Sequence, residues 1–428
     1  MYCGRRNRCL FSLLAMLTLL VCLGCQSQVA EPDADPPSST DATEPTTAAT
    51  PPAQLPDLLP EAALADGWIS LFDGQTLFGW QPDSDANWRV EEGSIVVDQG
   101  AKGLLHTTTR FADYVLKIEF RSAPGTNSGI FLHTPPTIND VSQDVYELNI
   151  ADADNPFPTG SLVNRKKVEG TFDSEDWQAY EITVDGDQIT VDLDGERVME
   201  YQDPNPLRRG TIALQLNEGK VEFRNIQLKP LHVASIFNAQ DLTGWVEYPE
   251  MATKFSVTEE GFLNARNTGE GRGQLETADT YGDFVLQLEC MTHGKSLNSG
   301  VFFRCIPGET MNGYESQIQN GFKNGDRSQP EDCGTGGIFR RQNARLVVAD
   351  DETWFYKTLI ADGPHIATWV NGYQVSDWTD ERAPDPNPRK GLRTEAGTMI
   401  LQGHDPTTNL SFRNLQAVEL TPRAAPAE

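Results

Sequence analysis

Hydrophobic and polar residues alternate over short stretches along most of the chain. In residues 114–120 every second side chain is apolar, and Lys117 and Glu119 lie between them. This period of two predicts a β-strand with one buried face. Residues 181–193 alternate on both sides of an Asp-Gly pair, which predicts a hairpin. Short strands at regular spacing, without sustained helical periodicity, predict an all-β sandwich or jelly roll.

The same sequence blocks occur twice, in the same order. Asn-Ser-Gly-Ile-Phe at 127–131 returns as Asn-Ser-Gly-Val-Phe at 298–302, and a Tyr-Glu pair follows both. The other matched blocks are residues 70–80 with 235–245, 91–93 with 259–261, 113–119 with 283–289, and 223–226 with 412–415. A conserved order of blocks indicates a tandem duplication of one domain. The predicted divisions are a first domain over 66–231, a second domain over 232–420 and a tail over 421–428.

The N-terminal segment has the pattern of an export signal. Three arginines within the first eight residues precede an apolar run over residues 10–23, which is shorter than a membrane span. The run ends in Cys-Leu-Gly-Cys, which resembles the lipobox of bacterial lipoproteins, although Cys22 stands where a leucine is usual. The sequence therefore predicts a signal peptide over 1–24 and lipidation of Cys25. Ordinary secretion is the alternative.

Composition extends this picture to the cellular location. Residues 25–65 are rich in Pro, Thr, Ala, Ser, Asp and Glu, which predicts a disordered linker between the lipid and the first domain. We expect the protein at the periplasmic or outer-membrane face of a bacterial cell envelope, with a lipid anchor as its only membrane contact. The chain has 62 acidic and 34 basic residues, a net charge of −28. Such a charge repels phosphate backbones, so nucleic acid is not an expected partner.

Apart from Cys25, the cysteines predicted to remain after export lie in the second domain. They are Cys290, Cys305 and Cys333, an odd number, so they cannot all pair within one chain. Export permits a disulfide, and Cys305 with Cys333 is the first pair to test. None has the CxxC spacing of a structural zinc site.

The repeated blocks resemble the 3-keto-disaccharide hydrolase family. The resemblance rests on Leu-Phe-Asp-Gly-x-Thr-Leu-x-Gly-Trp at 71–80, on Asn-Ser-Gly-Ile-Phe followed by Tyr-Glu, and on Phe-Arg-Asn-Ile at 223–226. It covers both predicted domains. It implies a concanavalin-like jelly roll in each domain, with a carbohydrate site on the concave face.

A glycoside oxidised to a ketone at carbon 3 can be cleaved without the two carboxylates of ordinary glycosidases. The carbonyl acidifies the C2 hydrogen, so a base can form an enediolate that expels the glycosidic oxygen, and water can then add. This route needs a general base, a stabiliser of the developing oxyanion and a proton donor. The leading hypothesis is an exported hydrolase that cleaves glycosides in this way. The alternatives are a non-catalytic carbohydrate-binding lipoprotein and a surface scaffold that contacts other proteins.

Polar residues within the second domain's blocks form the candidate site. Glu315 and Gln317 alternate on one predicted strand and would share a face. We expect Glu315 to act as a base or as a ligand of a possible divalent metal, and Arg304 to act as the oxyanion donor. His404, in a Leu-Gln-x-His pattern similar to that of the family, would be a second acid or base. The expected substrate contacts are Gln317, Asn298 and Tyr314. The alternative interpretation is a surface ion pair and a loop histidine.

The first domain departs from this set. His133, Glu147 and Asn149 stand at the positions of Arg304, Glu315 and Gln317, and an asparagine, Asn217, stands where His404 is. These three residues, His133, Glu147 and Asn149, remain candidate substrate contacts. Loss of the histidine predicts that the second domain is the catalytic unit and that the first domain is a diverged companion.

Overall fold

The structure is a computed structural model that describes residues 55–169 and 176–420. The predicted signal peptide, Cys25, most of the linker and the tail lie outside these residues. Within the described ranges, no helix has the length and apolar character that crossing a membrane requires. The helical elements there are short: α1 Glu61–Ala65, α2 Val141–Asp144 and a 3-10 helix at Lys323–Gly325.

The first domain consists of short antiparallel strands. They are β1 Ile69–Ser70, β2 Trp80–Pro82, β3 Arg89–Glu91, β4 Ser94–Val97, β5 Gly103–Thr107, β6 Tyr114–Ser122, β7 Asn127–Thr134, β8 Tyr146–Ala151, β9 Gln178–Asp185, β10 Gln188–Leu193, β11 Glu196–Gln202, β12 Thr211–Leu216 and β13 Val221–Pro230.

The second domain repeats this series. Its strands are β14 Ala234–Ser235, β15 Trp245–Glu247, β16 Thr253–Val257, β17 Leu263–Asn267, β18 Gly273–Thr277, β19 Phe284–Thr292, β20 Ser299–Cys305, β21 Tyr314–Ile318, β22 Phe355–Asp362, β23 His365–Val370, β24 Tyr373–Thr379, β25 Thr398–Gly403 and β26 Asn409–Glu419.

Each domain is a sandwich of an eight-stranded and a five-stranded sheet, with the same strand order in both. The first domain has the orders β11-β10-β9-β6-β13-β4-β3, with β1 beside β13, and β2-β5-β12-β7-β8. The second has β24-β23-β22-β19-β26-β17-β16, with β14 beside β26, and β15-β18-β25-β20-β21. The structure confirms the predicted all-β sandwich fold, and the shared topology agrees with the duplication.

The sequence patterns of the strands and turns agree with the structure. Strand β6 alternates buried and half-buried side chains over its whole length, as its sequence predicts. The predicted hairpin is β9–β10, which turns at Gly186 with a φ of 63°. Its counterpart β22–β23 turns at Gly363 with a φ of 55°. Positive φ is free of strain for glycine, so these dipeptides set the register of both hairpins.

The two domains share a continuous apolar contact. Val285, Ile360 and Trp369 of the second domain belong to the same buried cluster as the first-domain core. The Trp369 indole donates a hydrogen bond to the carbonyl of Ser70 at 3.0 Å. Burial of large apolar side chains contributes about 1.5–3 kcal/mol each, so this contact holds the domains together.

The end of the predicted linker also packs against the second domain. The Tyr373 hydroxyl donates to the carbonyl of Pro56 at 2.6 Å. Leu59 is buried, and its side chain lies close to Gly372 in the β23–β24 turn. Residues 55–65 therefore belong to the folded part, because their leucines find an apolar surface that composition alone did not reveal.

Candidate functional site

The candidate site lies on the outward face of the second domain's five-stranded sheet. Strands β20 and β21 pair Glu315 with Phe302 and Gln317 with Gly300. Glu315 and Gln317 therefore share a face, as their alternation predicts. On the other side of β20, Val301 pairs with Leu401 of β25. The same register, continued by one residue, sets Gln402 beside Gly300.

Gly300 makes room for the Glu315 side chain. A Cβ atom at position 300 would lie 2.6 Å from Oε1 and 2.9 Å from Cγ of Glu315. In the first domain, a Cβ at Gly129 would lie 3.3 Å from Cγ of Glu147. The glycine of each Asn-Ser-Gly block thus lets a glutamate from the next strand lie across it.

Two buried amide oxygens flank Gly300 without a partner. Neither Gln317 Oε1 nor Gln402 Oε1 receives a hydrogen bond from the described residues. The Gln317 side chain is held through Nε2, which lies 3.0 Å from Asn298 Oδ1 and 3.3 Å from Asp332 Oδ2. Buried acceptors are normally paired, so these oxygens suit the hydroxyl groups of a ligand.

Arginines line the pocket above Glu315. The cavity, about 130 Å³, is lined by Phe302, Glu315 and Phe339 together with Arg340, Arg341 and Arg389. The Arg341 guanidinium donates to the carbonyl of Arg389 at 3.0 Å. In a chain with a net charge of −28, this cluster is a local excess of positive charge beside a carboxylate.

The surroundings of Glu315 raise its pKa towards neutral pH. Burial raises the pKa of Glu315 to about 7. The positive charge of Arg389 opposes this rise in pKa, Asp332 adds to it, and Lys357 and Arg340 oppose it more weakly. A carboxyl group that titrates near neutral pH can both accept and return a proton, as a general base must.

A buried lysine lies beneath the strand that carries Glu315. Lys357 of β22 is 2% exposed, and its Nζ donates to the carbonyls of Ser316 at 2.9 Å and Gln317 at 3.0 Å. Burial lowers the pKa of Lys357 to about 7. Because Lys357 lies on the core side of the sheet, it acts on the site through charge and backbone position.

The structure places Arg304 outside the pocket, which corrects its expected role. Strand β20 is irregular between Phe302 and Cys305, and Arg304 has a left-handed φ of 49°. This bulge turns the side chain away from the Glu315 face. The buried guanidinium donates to the carbonyls of Gly282 at 3.0 Å and Gly363 at 2.6 Å. Its donors are occupied by the protein, so it is not placed to stabilise an oxyanion.

The remaining second-domain candidates are Tyr314 and His404. The Tyr314 ring stacks on Phe303 in the core, with ring centres 5.5 Å apart, and its hydroxyl donates to Asp380 at 2.7 Å. Its hydroxyl is therefore held by the protein, while Tyr314 also lines the cavity that contains Glu315. His404 directly follows strand β25 and is not among the residues that line the Glu315 cavity. Its exposed ring lies 3.2 Å from Asp405.

In the first domain, Glu147 and Asn149 keep their positions beside Gly129. Burial raises the pKa of Glu147, and a hydrogen bond with Gln215 opposes that rise. The Asn149 amide donates to the carbonyl of Phe157. Glu147 thus remains a buried carboxylate, but no arginine lies among the residues that perturb its pKa.

His133 is buried in the first domain. It has a left-handed φ of 51°, as Arg304 does, and is 2% exposed. Its Nδ1 lies 2.9 Å from the Leu207 carbonyl oxygen, and its Nε2 lies 2.6 Å from that of Ala112. His133, expected as a substrate contact, is therefore a structural residue. As with Arg304, a left-handed backbone directs its side chain to carbonyl groups of the protein.

The cysteines do not form the expected disulfide. Cys290, Cys305 and Cys333 are all free and buried. Cys305 packs with Met311 in the apolar cluster on the site side of the sheet. Cys333 instead contacts the carbonyl of Gln342 at 3.4 Å. The two side chains occupy separate surroundings, so flanking one segment in sequence does not bring them together.

Two stretches of the chain, residues 67–229 and 232–417, match the family described as the 3-keto-alpha-glucoside-1,2-lyase-like domain. Together they cover most of the sequence. The chain belongs to this family. The match confirms the resemblance inferred from the repeated blocks, and its second stretch contains the Glu315 pocket. Membership of the 3-keto-alpha-glucoside-1,2-lyase-like family indicates a glycosyl hydrolase-like or carbohydrate-binding function.

Individual relatives are more distant. A 3-keto-disaccharide hydrolase of Bacteroides thetaiotaomicron is 26% identical over 231 residues, which cover 39% of this chain and 79% of that protein. A solved structure from Parabacteroides distasonis, provisionally named a glycosyl hydrolase, is 20% identical with a TM-score of 0.37 and covers 41% of this chain and 99% of its own. The carbohydrate-binding module CBM66 of Bacillus subtilis is 13% identical with a TM-score of 0.29, covering 35% and 95%.

Within this member of the 3-keto-alpha-glucoside-1,2-lyase-like family, sequence reasoning overlooked the cations around Glu315. Arg340 and Arg389 lie outside the regular strands, where no periodicity marks them. Adjacent basic pairs in a strongly acidic chain were the available signal. Lys357 was detectable in another way, because it interrupts the apolar inward positions of its strand between Phe355 and Leu359.

Proposed function

We propose that the second domain cleaves 3-keto-glycosides by removing the C2 proton, with Glu315 as the general base. The observation that carries this proposal is a buried carboxyl group with a pKa of about 7 in an arginine-lined pocket. Ordinary glycosidases need a second carboxylate at a defined separation across the pocket. The pocket lining around Glu315 supplies arginines there instead.

The reaction divides into three balanced steps. Glu315 takes the C2 proton, and the electron pair of the C2–H bond forms an enediolate with the C3 carbonyl. The enediolate then expels the C1 oxygen, which leaves as an alcohol after protonation by Glu315 or by His404. The product is an unsaturated 3-keto sugar. Addition of water to it gives the 3-keto monosaccharide and net hydrolysis.

The arginines suit the charge that develops in this reaction. Arg389 and Arg340 line the same cavity as Glu315, where the enediolate oxygen would form. Both arginines are exposed, and a charged donor aimed at a developing oxyanion stabilises it most once bound substrate has displaced the water. We assign to Arg389 and Arg340 the role first expected of Arg304.

The unpartnered amide oxygens suit the substrate's hydroxyl groups. Gln317 Oε1 and Gln402 Oε1 lie on either side of Gly300, next to Glu315. The same oxygen set also fits a hard divalent cation, which would polarise the sugar carbonyl when bound. The grouped His and acidic side chains found in the described residues lie elsewhere, at Asp113, Asp185 and His232.

The proposal is tested on the full chain with methyl 3-keto-α-glucoside and methyl α-glucoside, each with and without a chelator. We expect cleavage of the 3-keto compound alone, and in deuterated water we expect exchange of its C2 hydrogen by NMR. Comparable cleavage of methyl α-glucoside, or no cleavage of either compound, would contradict the proposal. Binding of unmodified glycans without turnover would favour a carbohydrate-binding protein.

We also propose that the protein is exported and anchored by a lipid on Cys25. The basic start, the short apolar run and the cysteine after a small residue support this, as does the Pro- and Thr-rich segment that follows. Mass spectrometry of the mature N-terminus, with Cys25→Ser as the control, would test it. An unmodified or uncleaved N-terminus would contradict it.

A further inference from the structure

Ion pairs connect the first domain to Asp283 and Asp362 of the second domain. The guanidinium of Arg209, in the first domain, lies 3.2 Å from Asp283 and 3.3 Å from Asp362. Arg110, also of the first domain, contacts Asp362 at two points, 2.5 and 2.6 Å. Asp362 is 2% exposed, so solvent screens these contacts little.

Arg304 joins Asp283 to residues 380–393, which we call the 380–393 loop. Its Nη2 lies 2.9 Å from Asp283 Oδ1, and its Nη1 donates to the carbonyl of Arg393 at 3.3 Å. The Arg393 amide donates to the Tyr314 hydroxyl at 2.9 Å. The end of the loop is therefore held by Arg304 on one side and by Tyr314 on the other.

The 380–393 loop in turn positions Arg389. Arg382 pairs with Asp380 at 2.8 Å and donates to the carbonyls of Pro388 and Gly391, each at 2.9 Å. These contacts link the two ends of the loop around Arg389, whose guanidinium also donates to the carbonyl of Met311 at 2.5 Å. A displaced end at residue 393 would therefore displace Arg389 in the pocket.

In the first domain, the residue at the position of Arg304 needs no carboxylate to compensate a buried charge. His133 stands where Arg304 does and contacts the Ala112 and Leu207 carbonyls. Burial lowers the pKa of His133, so its neutral ring needs no counter-charge. Arg304 carries a charge and is 1% exposed, so it depends on the carboxylate of Asp283.

We propose that the first domain positions the 380–393 loop of the second domain, with Arg209 as the positioning residue. Arg209 holds Asp283, and Asp283 compensates the charge of Arg304. Arg304 then holds the loop end that sets Arg389. The consequence for catalysis rests on the proposed function, whereas the coupling between the domains rests on these contacts alone.

Hydrogen exchange of the full chain tests the coupling without reference to activity. We expect Arg209→Ala to speed amide exchange in the 380–393 loop by about tenfold, while strand β6 stays at the wild-type rate. Arg209→Lys should restore most of the protection. In an Arg304→His background, which copies the first domain, Arg209→Ala should change loop exchange less than about twofold.

Kinetics with a 3-keto-glucoside test the consequence. We expect Arg209→Ala to lower kcat by about tenfold with a smaller change in KM, because Arg389 acts on charge that develops in the transition state. The control is Arg197→Ala, which removes a surface pair with Asp192 in the same domain. It should leave both readouts unchanged.

The outcomes separate the two proposals. Loop exchange in Arg209→Ala within twofold of wild type would overturn the positioning role, whatever the activity. If Arg209→Ala speeds loop exchange equally in the wild-type and the Arg304→His backgrounds, the coupling does not pass through Arg304. If the wild-type chain cleaves no 3-keto-glycoside, the proposed function fails, while the exchange data still decide the coupling.

Discussion

The two domains keep one carboxylate in the same place and differ in the charges around it. Glu147 and Glu315 lie on equivalent strands, and each pairs with the residue two positions after the glycine of an Asn-Ser-Gly block. Burial raises the pKa of both. The duplicated scaffold thus preserves a buried glutamate, and the difference between the domains lies in its neighbours.

Beneath the sheet, a cation replaces a neutral hydroxyl. In the first domain the Tyr180 hydroxyl donates to the carbonyl of Asn149 at 3.1 Å. In the second domain Lys357 occupies the equivalent position and donates to the carbonyl of Gln317 at 3.0 Å. The same backbone group is satisfied in both, but only the second domain gains a titratable charge there.

Above the sheet, the second domain has arginines at two positions where the first domain has no positive charge. Arg340 corresponds to Asn164, and both have left-handed backbones, with φ of 59° and 61°. Arg389 lies in the 380–393 loop, where the first domain has only the short connection 203–207. The second domain has therefore acquired cations on both sides of its glutamate. This comparison makes the first domain an internal control for every prediction about the second.

Removing the two glutamates separately gives the largest expected difference. Glu315→Gln should lower kcat/KM for a 3-keto-glucoside by about 10³-fold, because it removes the general base. Glu147→Gln should lower it less than twofold. Steady-state kinetics on the full chain measure both. Equal losses from the two variants would show that the domains share the chemistry and would end the asymmetric interpretation.

Removing the loop arginine should have the next largest effect. Arg389→Ala should lower kcat by about 10²-fold, because the developing oxyanion loses a charged donor. The neighbouring Lys390→Ala removes an exposed charge of the same loop and should leave kcat unchanged. Similar losses from both variants would point to general electrostatic attraction of substrate.

The fold was largely predictable because its signals are local. Alternation identified strand β6, and the Asp-Gly pairs identified the hairpin turns at Gly186 and Gly363. The repeated blocks predicted two copies of one domain. The contact through Trp369 was not predictable, because a buried side chain at a domain interface has the same pattern as one in a core.

The site was predictable only where strand alternation defined it. The shared face of Glu315 and Gln317 follows from a period of two, and the structure adds a hydrogen bond from Gln317 to Asn298, which was expected only as a substrate contact. Arg304 was misplaced because the bulge after Phe302 interrupts that period, and a bulge leaves no clear mark in a single sequence. Its left-handed φ shows in the structure alone.

Adding one methyl group to each glycine tests whether the scaffold matters equally in both domains. Gly300→Ala would place a Cβ 2.6 Å from Oε1 of Glu315, so the carboxylate must move and kcat should fall about tenfold. Gly129→Ala meets its neighbours at 3.2 Å or more and should leave kcat unchanged. A Gly300→Ala enzyme with full activity would show that Glu315 acts from another position.

The smallest expected effect concerns the lysine beneath the site. The charge of Lys357 favours the ionised form of Glu315 and so lowers its pKa. Lys357→Met should therefore raise that pKa and move the acid limb of the kcat/KM profile upward by about one pH unit or less. Activity at pH 6 falls several-fold, whereas activity at pH 9 stays near wild type, because Glu315 is ionised there in both proteins.

The matched control for this shift is Tyr180→Phe, which removes the equivalent donor in the first domain and should leave the profile unchanged. A uniform loss of activity at all pH values in Lys357→Met would instead indicate that the lysine acts only by holding the carbonyls of Ser316 and Gln317. A shift of the acid limb would therefore show that Lys357 acts through its charge, whereas a uniform loss would show that it acts only as a hydrogen-bond donor. A neutral tyrosine already fills the structural role in the first domain, so a shift of the limb would show what the lysine adds in the second.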